Sequence, residues 1–273
     1  MKNLVISRKG FDATAGGVAS PIFANGDIFS VPIPQKKQSP TKYRELRFND
    51  LSGREILDLI GAKSISDDDF YHNDPLLSGH KGIFGQAGGS QGELDNCEIG
   101  RGDLFLFFGW FKQHYQNGPN LHHLFGWLQI EKIIKGNYEI LKFLSENGLS
   151  HPHGTTDITQ FKNNTIYIAS KNLTFSDSVR DIMGHGVFKK TAESLILTEK
   201  GKTRSRWSFP KKYFANTKNL FRNRLKWKDE DKCLVNCIGV GQEFILNAQD
   251  NPSVVDWASY LLSTYGRDNQ QIY

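Results

Sequence analysis

Two apolar segments that share the sequence Phe-Gly-Trp constrain the fold of this 273-residue chain more than any other feature. Residues 103–111 are apolar on both faces, which is typical of a central strand covered on both sides. Residues 124–130 repeat the motif after a polar segment that is long enough for a hairpin loop. We therefore predict two paired antiparallel strands. A glycine between aromatic residues often marks a bulge or a close backbone approach, so we expect both strands to bend.

The surrounding sequence predicts an α+β fold with a mostly antiparallel, strongly bent sheet and peripheral helices. Apolar or alternating runs predict a hairpin at residues 22–34 and strands at residues 4–6, 165–170, 194–198, 234–240 and 243–246. Helices are predicted at residues 50–61, 138–147 and 252–265. Residues 64–98 show little periodicity and are predicted to form a long irregular connection. The chain can bury a sizeable core, and we predict a single domain over residues 1–273.

Positive charge is concentrated in residues 200–228, which we call the basic segment. It carries eleven Lys or Arg residues and no Asp or Glu, with six aromatic residues among them. Without these charges the net charge of +5 becomes about −6. Such a segment favours a polyanion, because cations release the counterions of nucleic acids and aromatic rings stack on unpaired bases. A solvated face whose aromatic residues anchor it to the core is the competing interpretation, and the residues leave both open.

Cysteine usage and the N-terminal sequence indicate a cytoplasmic location. Cys97, Cys233 and Cys237 lack a paired metal-ligand spacing, so reduced thiols are expected. The first residues lack the extended hydrophobic region of a signal peptide, and no window of the sequence approaches a membrane span.

His151 and His153 place two imidazoles beside a proline, on the same side of the chain if the segment is extended. A zinc site needs a third and usually a fourth ligand, and the candidates are only loosely spaced: His72, Asp74, His122 and His123. Histidines that hydrogen-bond a ligand or cap a loop are the favoured interpretation, so no metal site is predicted.

Other polar residues follow strands or lie in loops, where functional groups are common. His72 and Asp74 offer an imidazole and a carboxylate in one loop, although Asp before Pro is also an ordinary turn residue. Arg8 and Asp12 follow the first strand, with a surface ion pair as the alternative. Glu243 follows a glycine-rich stretch and is interpreted as a general base or as a supporting hydrogen bonder. The sequence contains no phosphate-binding P-loop, no dinucleotide motif and no serine nucleophile motif.

Several of these motifs together resemble one family. In chain order they are Ser-Arg-Lys-Gly-Phe-Asp at 7–12 with Gly16-Gly17, His72 with Asp74-Pro75, the strand at 102–111, His123 before Phe-Gly-Trp-Leu-Gln, His151-Pro152-His153, and Gly241-Gln242-Glu243-Phe244. This pattern resembles the third nucleotide-modification-associated domain family over nearly the whole chain. The resemblance implies a role in base modification of DNA in bacteria and phages, and it does not indicate a reaction.

The two central strands also look similar to PUA-like barrels, the small barrels of pseudouridine synthases and archaeosine transglycosylases. That resemblance implies an aromatic-lined pocket for a flipped base, to which Trp110, Trp127 and Phe108 would contribute by stacking. Aromatic residues in paired strands are more often plain core.

We therefore expect an enzyme that transfers a group to, or removes one from, a nucleobase, while the basic segment binds phosphate. The candidate catalytic residues are Asp12, His72, Asp74, His153 and Glu243. The candidate ligand-binding or nucleic-acid-binding residues are Arg8, Lys9, Trp110, His123, His151, Arg204, Arg206, Trp207 and Gln242. The expected partner is a nucleic acid, DNA above all, or a nucleotide, and the sequence does not identify a cofactor or co-substrate. A non-catalytic reader of modified bases is the main alternative, and a module that binds an acidic protein partner is a third.

Overall fold

Strands and helices alternate irregularly along the chain in a mixed α+β fold. The computed structural model describes residues 1–36, 39–154, 161–223, 225–237 and 243–267. The strands are β1 (Asn3–Arg8), β2 (Ser20–Pro21), β3 (Pro34–Gln35), β4 (Thr41–Lys42), β5 (Arg47–Phe48), β6 (Leu51–Ser52), β7 (Phe70–Tyr71), β8 (Ile83–Gln86), β9 (Leu104–Lys112), β10 (Leu121–Lys135), β11 (Thr165–Ala169), β12 (His185–Val187), β13 (Arg206–Ser208), β14 (Trp227–Asp229), β15 (Leu234–Asn236) and β16 (Glu243–Asn247). The helices are α1 (Gly53–Ile60), α2 (Gly88–Asn96), α3 (Asn137–Glu146), α4 (Lys211–Phe214) and α5 (Pro252–Tyr265).

The main sheet has the strand order β16-β1-β9-β10-β11-β8, with β12 on β10 and β2 on β9. Its pairs are antiparallel except where β1 and β2 run parallel to β9. The two strands that contain Phe-Gly-Trp are β9 and β10, and they pair antiparallel as predicted. The prediction of a mostly antiparallel sheet is therefore confirmed.

Both Phe-Gly-Trp glycines occupy the irregular positions that the sequence predicts. The β9–β10 register shifts between Leu124 and Gly126, which is a bulge. At Gly109, a side-chain Cβ would lie 2.9 Å from the carbonyl oxygen of Lys9, so only glycine lets β1 and β9 approach this closely.

The sheet curls until its two end strands, β8 and β16, face each other, and we call the gap between them the seam. A side-chain hydrogen bond crosses it, from Gln86 Nε2 to Glu243 Oε1 at 2.5 Å, and α2 contacts β16. No backbone ladder joins β8 to β16 within the described residues. The sheet is strongly bent but is not a closed barrel, so a PUA-like barrel is not confirmed.

The core is aromatic and lies on both faces of β9. Residues 104–108 are completely buried, and Phe105 and Phe107 pack edge-on against Phe84. Each fully buried side chain of this kind contributes about 1.5–3 kcal/mol. On the other face, Trp207 packs against Phe108, and Trp257 of α5 lies behind Phe209.

Helix α1 carries its own start and stop signals and covers a second, smaller core. Ser52 and Glu55 form a capping box at its N-terminus, and Gly61 ends it with a φ of 74°. The predicted start was too early because Leu51 and Ser52 pair with β5 before the helix begins. Helices α3 and α5 agree closely with the predictions.

Two predictions of local structure are wrong. Residues 64–98 are not an irregular connection, because they contain β7, β8 and the glycine-rich helix α2. The predicted strand at 194–198 begins as the 3₁₀ turn Glu193–Leu195 and continues as isolated bridges to His123 and Trp207. Within the described part of the chain, none of the helices combines the length and apolar character needed to cross a bilayer.

Candidate functional site

Four polar residues from two distant parts of the chain meet beside β8, and we call His72, Asp74, His151 and His153 the histidine cluster. The Asp74 carboxylate is at its centre and is nearly completely buried. Its Oδ1 accepts the Gly85 N–H at 2.7 Å and lies 3.2 Å from His151 Nε2, while Oδ2 lies 3.7 Å from His72 Nε2. A single carboxylate thus holds one backbone amide and faces two imidazoles.

The surroundings keep Asp74 ionised. Burial raises its pKa, but the contacts from His151 and His72 outweigh burial and hold the pKa well below its ordinary value. Burial is also the largest influence on His153, whose pKa falls to about 3. Near neutral pH the cluster therefore combines a carboxylate with an uncharged His153 imidazole.

The ring orientation of His153 is fixed by an amide network. Asn164 Nδ2 donates to Asn137 Oδ1 at 2.6 Å and to the His153 carbonyl at 2.8 Å. Asn164 Oδ1 must therefore be the atom that lies 2.6 Å from His153 Nδ1, so Nδ1 carries the proton. Phe161 stacks on the same ring at 4.5 Å. The other side of the ring packs so closely against Gly85 that a Cβ at this position would collide with His153 Cδ2.

A second polar group lies at the seam, and we call Ser7, Lys9, Gln86 and Glu243 the seam carboxylate group. The Glu243 side chain is fully buried, and its Oε1 accepts hydrogen bonds from Ser7 Oγ at 3.1 Å, Lys9 Nζ at 3.3 Å and Gln86 Nε2 at 2.5 Å. Its Oε2 is buried without a hydrogen-bond partner in the described residues. One oxygen thus accepts all three of these hydrogen bonds, and no described residue hydrogen-bonds the other.

Strand β8 connects the two groups, since Gly85 binds Asp74 and the next residue, Gln86, binds Glu243. A cleft of about 380 Å³ opens here, and we call it the β8 cleft. It is lined by Ile33, Pro34, Gln35, Lys36, His72, Gln86, Ala87, His153 and Phe161. The cleft therefore reaches the histidine cluster directly and the Glu243 carboxylate through Gln86.

Arg8 lies on the opposite face of the sheet, because side chains alternate along β1. Its guanidinium is 3.5 Å from Cys237 Sγ and 5.7 Å from the Phe108 ring centre, and its Nε is buried without a partner in the described residues. The Arg204 guanidinium lies 3.9 Å from the Trp110 ring centre. Burial, together with the nearby Arg8, lowers the pKa of Arg204. We call Arg8, Arg204 and Trp110 the arginine face.

Other predicted residues lie outside these groups. Asp12 accepts hydrogen bonds from Thr14 and Ala15 of its own turn. His123 is buried between the Leu124 carbonyl and the Thr191 hydroxyl.

In and near the basic segment, Arg206 pairs with Glu199, and Trp207 is fully buried and donates to His122 Nδ1 at 2.9 Å. Gln242 lies outside the described residues.

The sequence did not reveal Gln35, Lys36, Gln86 and Phe161 of the β8 cleft or Ser7 of the seam carboxylate group. Gln86 ends a strand whose other residues are apolar or small, and a polar residue buried there is the signal that could have identified it. Gln35 and Phe161 carry no such signal, because the local sequence does not reveal that they face the cleft.

Comparison with known protein families gives a match, and it covers all of the described site residues. The sequence model of one family, described as nucleotide modification associated domain 3, matches residues 3–247. The chain belongs to this family. The resemblance expected from the sequence is thereby confirmed.

The nucleotide modification associated domain 3 match extends from β1 to β16 and so includes the histidine cluster, the seam carboxylate group and the arginine face. Neither the curated proteins nor the solved structures contain a match. The family description associates the chain with nucleotide modification, and the cleft provides carboxylate and imidazole groups suited to acid–base chemistry.

Proposed function

We propose that this nucleotide modification associated domain 3 protein is an enzyme that transfers a group to, or removes one from, a nucleobase. The observation that carries the proposal is the convergence of two buried carboxylates, Asp74 and Glu243, on neighbouring residues of β8. Buried carboxylates held by directed donors are expensive to maintain for stability alone and are common where protons are transferred.

Substrate binding is assigned to the β8 cleft. Its volume of about 380 Å³ lies within the usual range of small-molecule sites. The amides of Gln35 and Gln86, which bond His72 and Glu243, line this cleft and are the groups that would meet the edge of a base, and Phe161 offers an aromatic ring. Lys36 is exposed at the same cleft and provides a cation for a phosphate group.

Proton transfer is assigned to the two carboxylate centres. Glu243 Oε2, which no described residue hydrogen-bonds, is the assigned proton acceptor, and it is reached from the cleft past Gln86 while Lys9 holds the other oxygen. The Asp74–His151 pair is the second centre, because a carboxylate orients the imidazole beside it. His72, the more exposed imidazole facing Asp74, supplies a group that can reach both Asp74 and the cleft.

Calorimetry with nucleoside 5′-monophosphates tests the binding step. We expect binding to wild type, weaker binding to Lys36→Ala and Phe161→Ala, and unchanged binding to Lys63→Ala, which removes an exposed lysine remote from the cleft. Equal affinity in all four proteins would remove the cleft from the proposal.

Mass spectrometry of nucleosides tests the reaction. DNA, RNA and the free nucleotide pool are digested from bacterial cells that produce wild type or Glu243→Gln. We expect an altered nucleoside with wild type that Glu243→Gln does not form. We further propose that DNA is the polymer that is modified. An altered nucleoside found only in RNA or in the free nucleotide pool would overturn this choice of substrate.

A non-catalytic reader of modified bases is the second candidate, and the arginine face favours it. Arg204 stacks on Trp110, Lys211 and Lys212 are exposed in the basic segment, and none of these residues lines the β8 cleft, so cations and an aromatic ring are available away from it. Oligonucleotide anisotropy against salt tests this surface. The logarithm of the binding constant falls linearly with the logarithm of the salt concentration, and each lysine that neutralises a phosphate contributes about 0.7 to this slope on single strands. The double variant Lys211→Ala/Lys212→Ala should therefore show a smaller slope, by about 0.7 for each of the two lysines that contacts a phosphate in wild type. Binding with this slope, no altered nucleoside and no effect of Glu243→Gln would favour the reader.

A further inference from the structure

We propose that His72, Asp74 and His153 bind one divalent transition-metal cation. Each of the three residues offers one ligand atom, and these atoms lie within 4.8 Å of one another. Spacing along the sequence does not indicate this site, because His72 and Asp74 share one loop whereas His153 comes from a distant part of the chain. The site shares His72 and Asp74 with the proposed reaction, but the argument for it depends only on the geometry of the donor atoms around Asp74.

The separation of the donor atoms suits a cation once the ligands move closer together. Metal–nitrogen distances of about 2.0–2.1 Å place tetrahedral ligands about 3.4 Å apart. The Asp74 Oδ2 to His72 Nε2 distance is 3.7 Å, close to that value. His72 is the partly exposed member of the set and can adjust, whereas His153 is held by Gly85, Asn164 and Phe161.

Hydrogen bonds on the far side of both imidazoles leave the coordinating nitrogens free. The Asn164 network makes His153 Nδ1 a donor, so Nε2 carries the lone pair. His72 Nδ1 lies 2.7 Å from Gln35 Oε1 and donates to that oxygen. Its Nε2 is then the nitrogen that faces Asp74. Metal-binding histidines characteristically donate their other ring N–H to an oxygen in this way.

Electrostatics make a cation the natural complement of this arrangement. A cation would be shared by the nearly completely buried Asp74 carboxylate and the lone pair of His153 Nε2, and it would balance a negative charge that burial makes costly. His151 contacts Asp74 Oδ1, outside the three-residue set, and orients the carboxylate.

The donor set indicates the class of metal. Two imidazoles and one carboxylate leave coordination positions open, as in catalytic Zn²⁺ sites and non-haem Fe²⁺ sites. Mg²⁺ and Ca²⁺ prefer sites made of oxygen ligands alone. We therefore infer selectivity for Zn²⁺ or Fe²⁺ over Mg²⁺ and Ca²⁺.

Titration of the full-length, chelator-treated protein with Zn²⁺ by calorimetry, and with Co²⁺ by visible absorption, tests the site. We expect one ion per chain. Asp74→Asn and His72→Gln should each weaken binding by at least about 100-fold, since loss of an outer-shell partner alone costs about 10–100-fold. His114→Gln, which changes a histidine bonded to the Ala19 carbonyl, and Cys97→Ser, which removes a half-exposed thiol, should bind like wild type.

The proposal fails if wild type binds neither ion, or if Asp74→Asn and His72→Gln bind both as wild type does. Circular dichroism first establishes that each variant is folded. If Asp74→Asn is not folded, His72→Gln decides, because His72 is partly exposed. Nucleotide calorimetry on the same chelator-treated protein reports on the β8 cleft separately, so failure of the metal site and failure of the proposed function give different results.

Discussion

Replacing Glu243 with Gln removes one charge from an ion pair that is almost completely shielded from water. Lys9 Nζ lies 3.3 Å from Glu243 Oε1, and the two side chains are 9% and 0% exposed. Removing one partner of a buried pair costs about 3–5 kcal/mol, because the other charge is left without compensation. Gln keeps the shape and still accepts hydrogen bonds, so we expect the lower end, about 3 kcal/mol.

The pair between Lys135 and Asp95 is the matched control. Its nitrogen–oxygen distance is shorter, 2.6 Å, but the side chains are 59% and 40% exposed. Water screens such a pair, and its loss in Asp95→Asn should cost no more than about 1 kcal/mol. Burial rather than distance therefore predicts which substitution destabilises the protein more.

Urea unfolding followed by circular dichroism measures both effects as changes in the free energy of unfolding. Lys9→Met and the double variant Lys9→Met/Glu243→Gln complete a double-mutant cycle. The double variant should be less destabilised than the sum of the single variants, since neither charge is then left alone. The reasoning is refuted if Glu243→Gln costs no more than Asp95→Asn.

Three further predictions follow from buried groups. Gly85→Ala should lower the free energy of unfolding by about 1–3 kcal/mol, measured in urea, because the new methyl group displaces the His153 ring; an unchanged midpoint would contradict the tight packing. Burial lowers the pKa of His122 to about 3 and of His123 to about 4 in the folded protein, whereas an exposed histidine has a pKa of about 6.5. Below about pH 6.5 the unfolded chain therefore binds more protons at these two residues than the folded protein does. Stability should therefore fall from pH 7 to pH 5 by up to about 1.4 kcal/mol per pH unit for each imidazole, and a urea midpoint independent of pH would show that these rings are not buried as neutral groups. Trp207→Phe should cost about 1–3 kcal/mol, because His122 Nδ1 loses its donor, and should leave oligonucleotide binding unchanged; a loss of binding without a loss of stability would return Trp207 to the binding surface.

The sequence predicted elements whose signals are local. The paired Phe-Gly-Trp strands are recognisable from their apolar runs, and α5 is recognisable from the helical periodicity of the residues that follow a proline. Helix α2 has the sequence Gly-Gly-Ser-Gln-Gly-Glu-Leu-Asp-Asn, which is poor in helix-forming residues. Leu94 is buried in the main core, so packing rather than propensity holds the helix.

The candidate site shows the same division. His72, Asp74, His151 and His153 are found together, as one pocket requires, and they were chosen from the sequence for their chemistry. Asp12 has equally suggestive chemistry, but it is occupied by its own turn. The contact between Gln86 and Glu243 joins the two ends of the sheet, and only the fold brings such distant residues together.

A closed barrel has a circumference fixed by the number and stagger of its strands. Here, within the described residues, the hydrogen bond from Gln86 to Glu243 spans the gap between the two end strands, and α2 packs against β16 beside it. Rotation of the Gln86 side chain would therefore break this contact without breaking any backbone hydrogen bond between the strands of the sheet. A ligand that hydrogen-bonds Glu243 in place of the Gln86 amide would release this contact as it binds, so ligand binding and the closure of the sheet would compete for the same carboxylate.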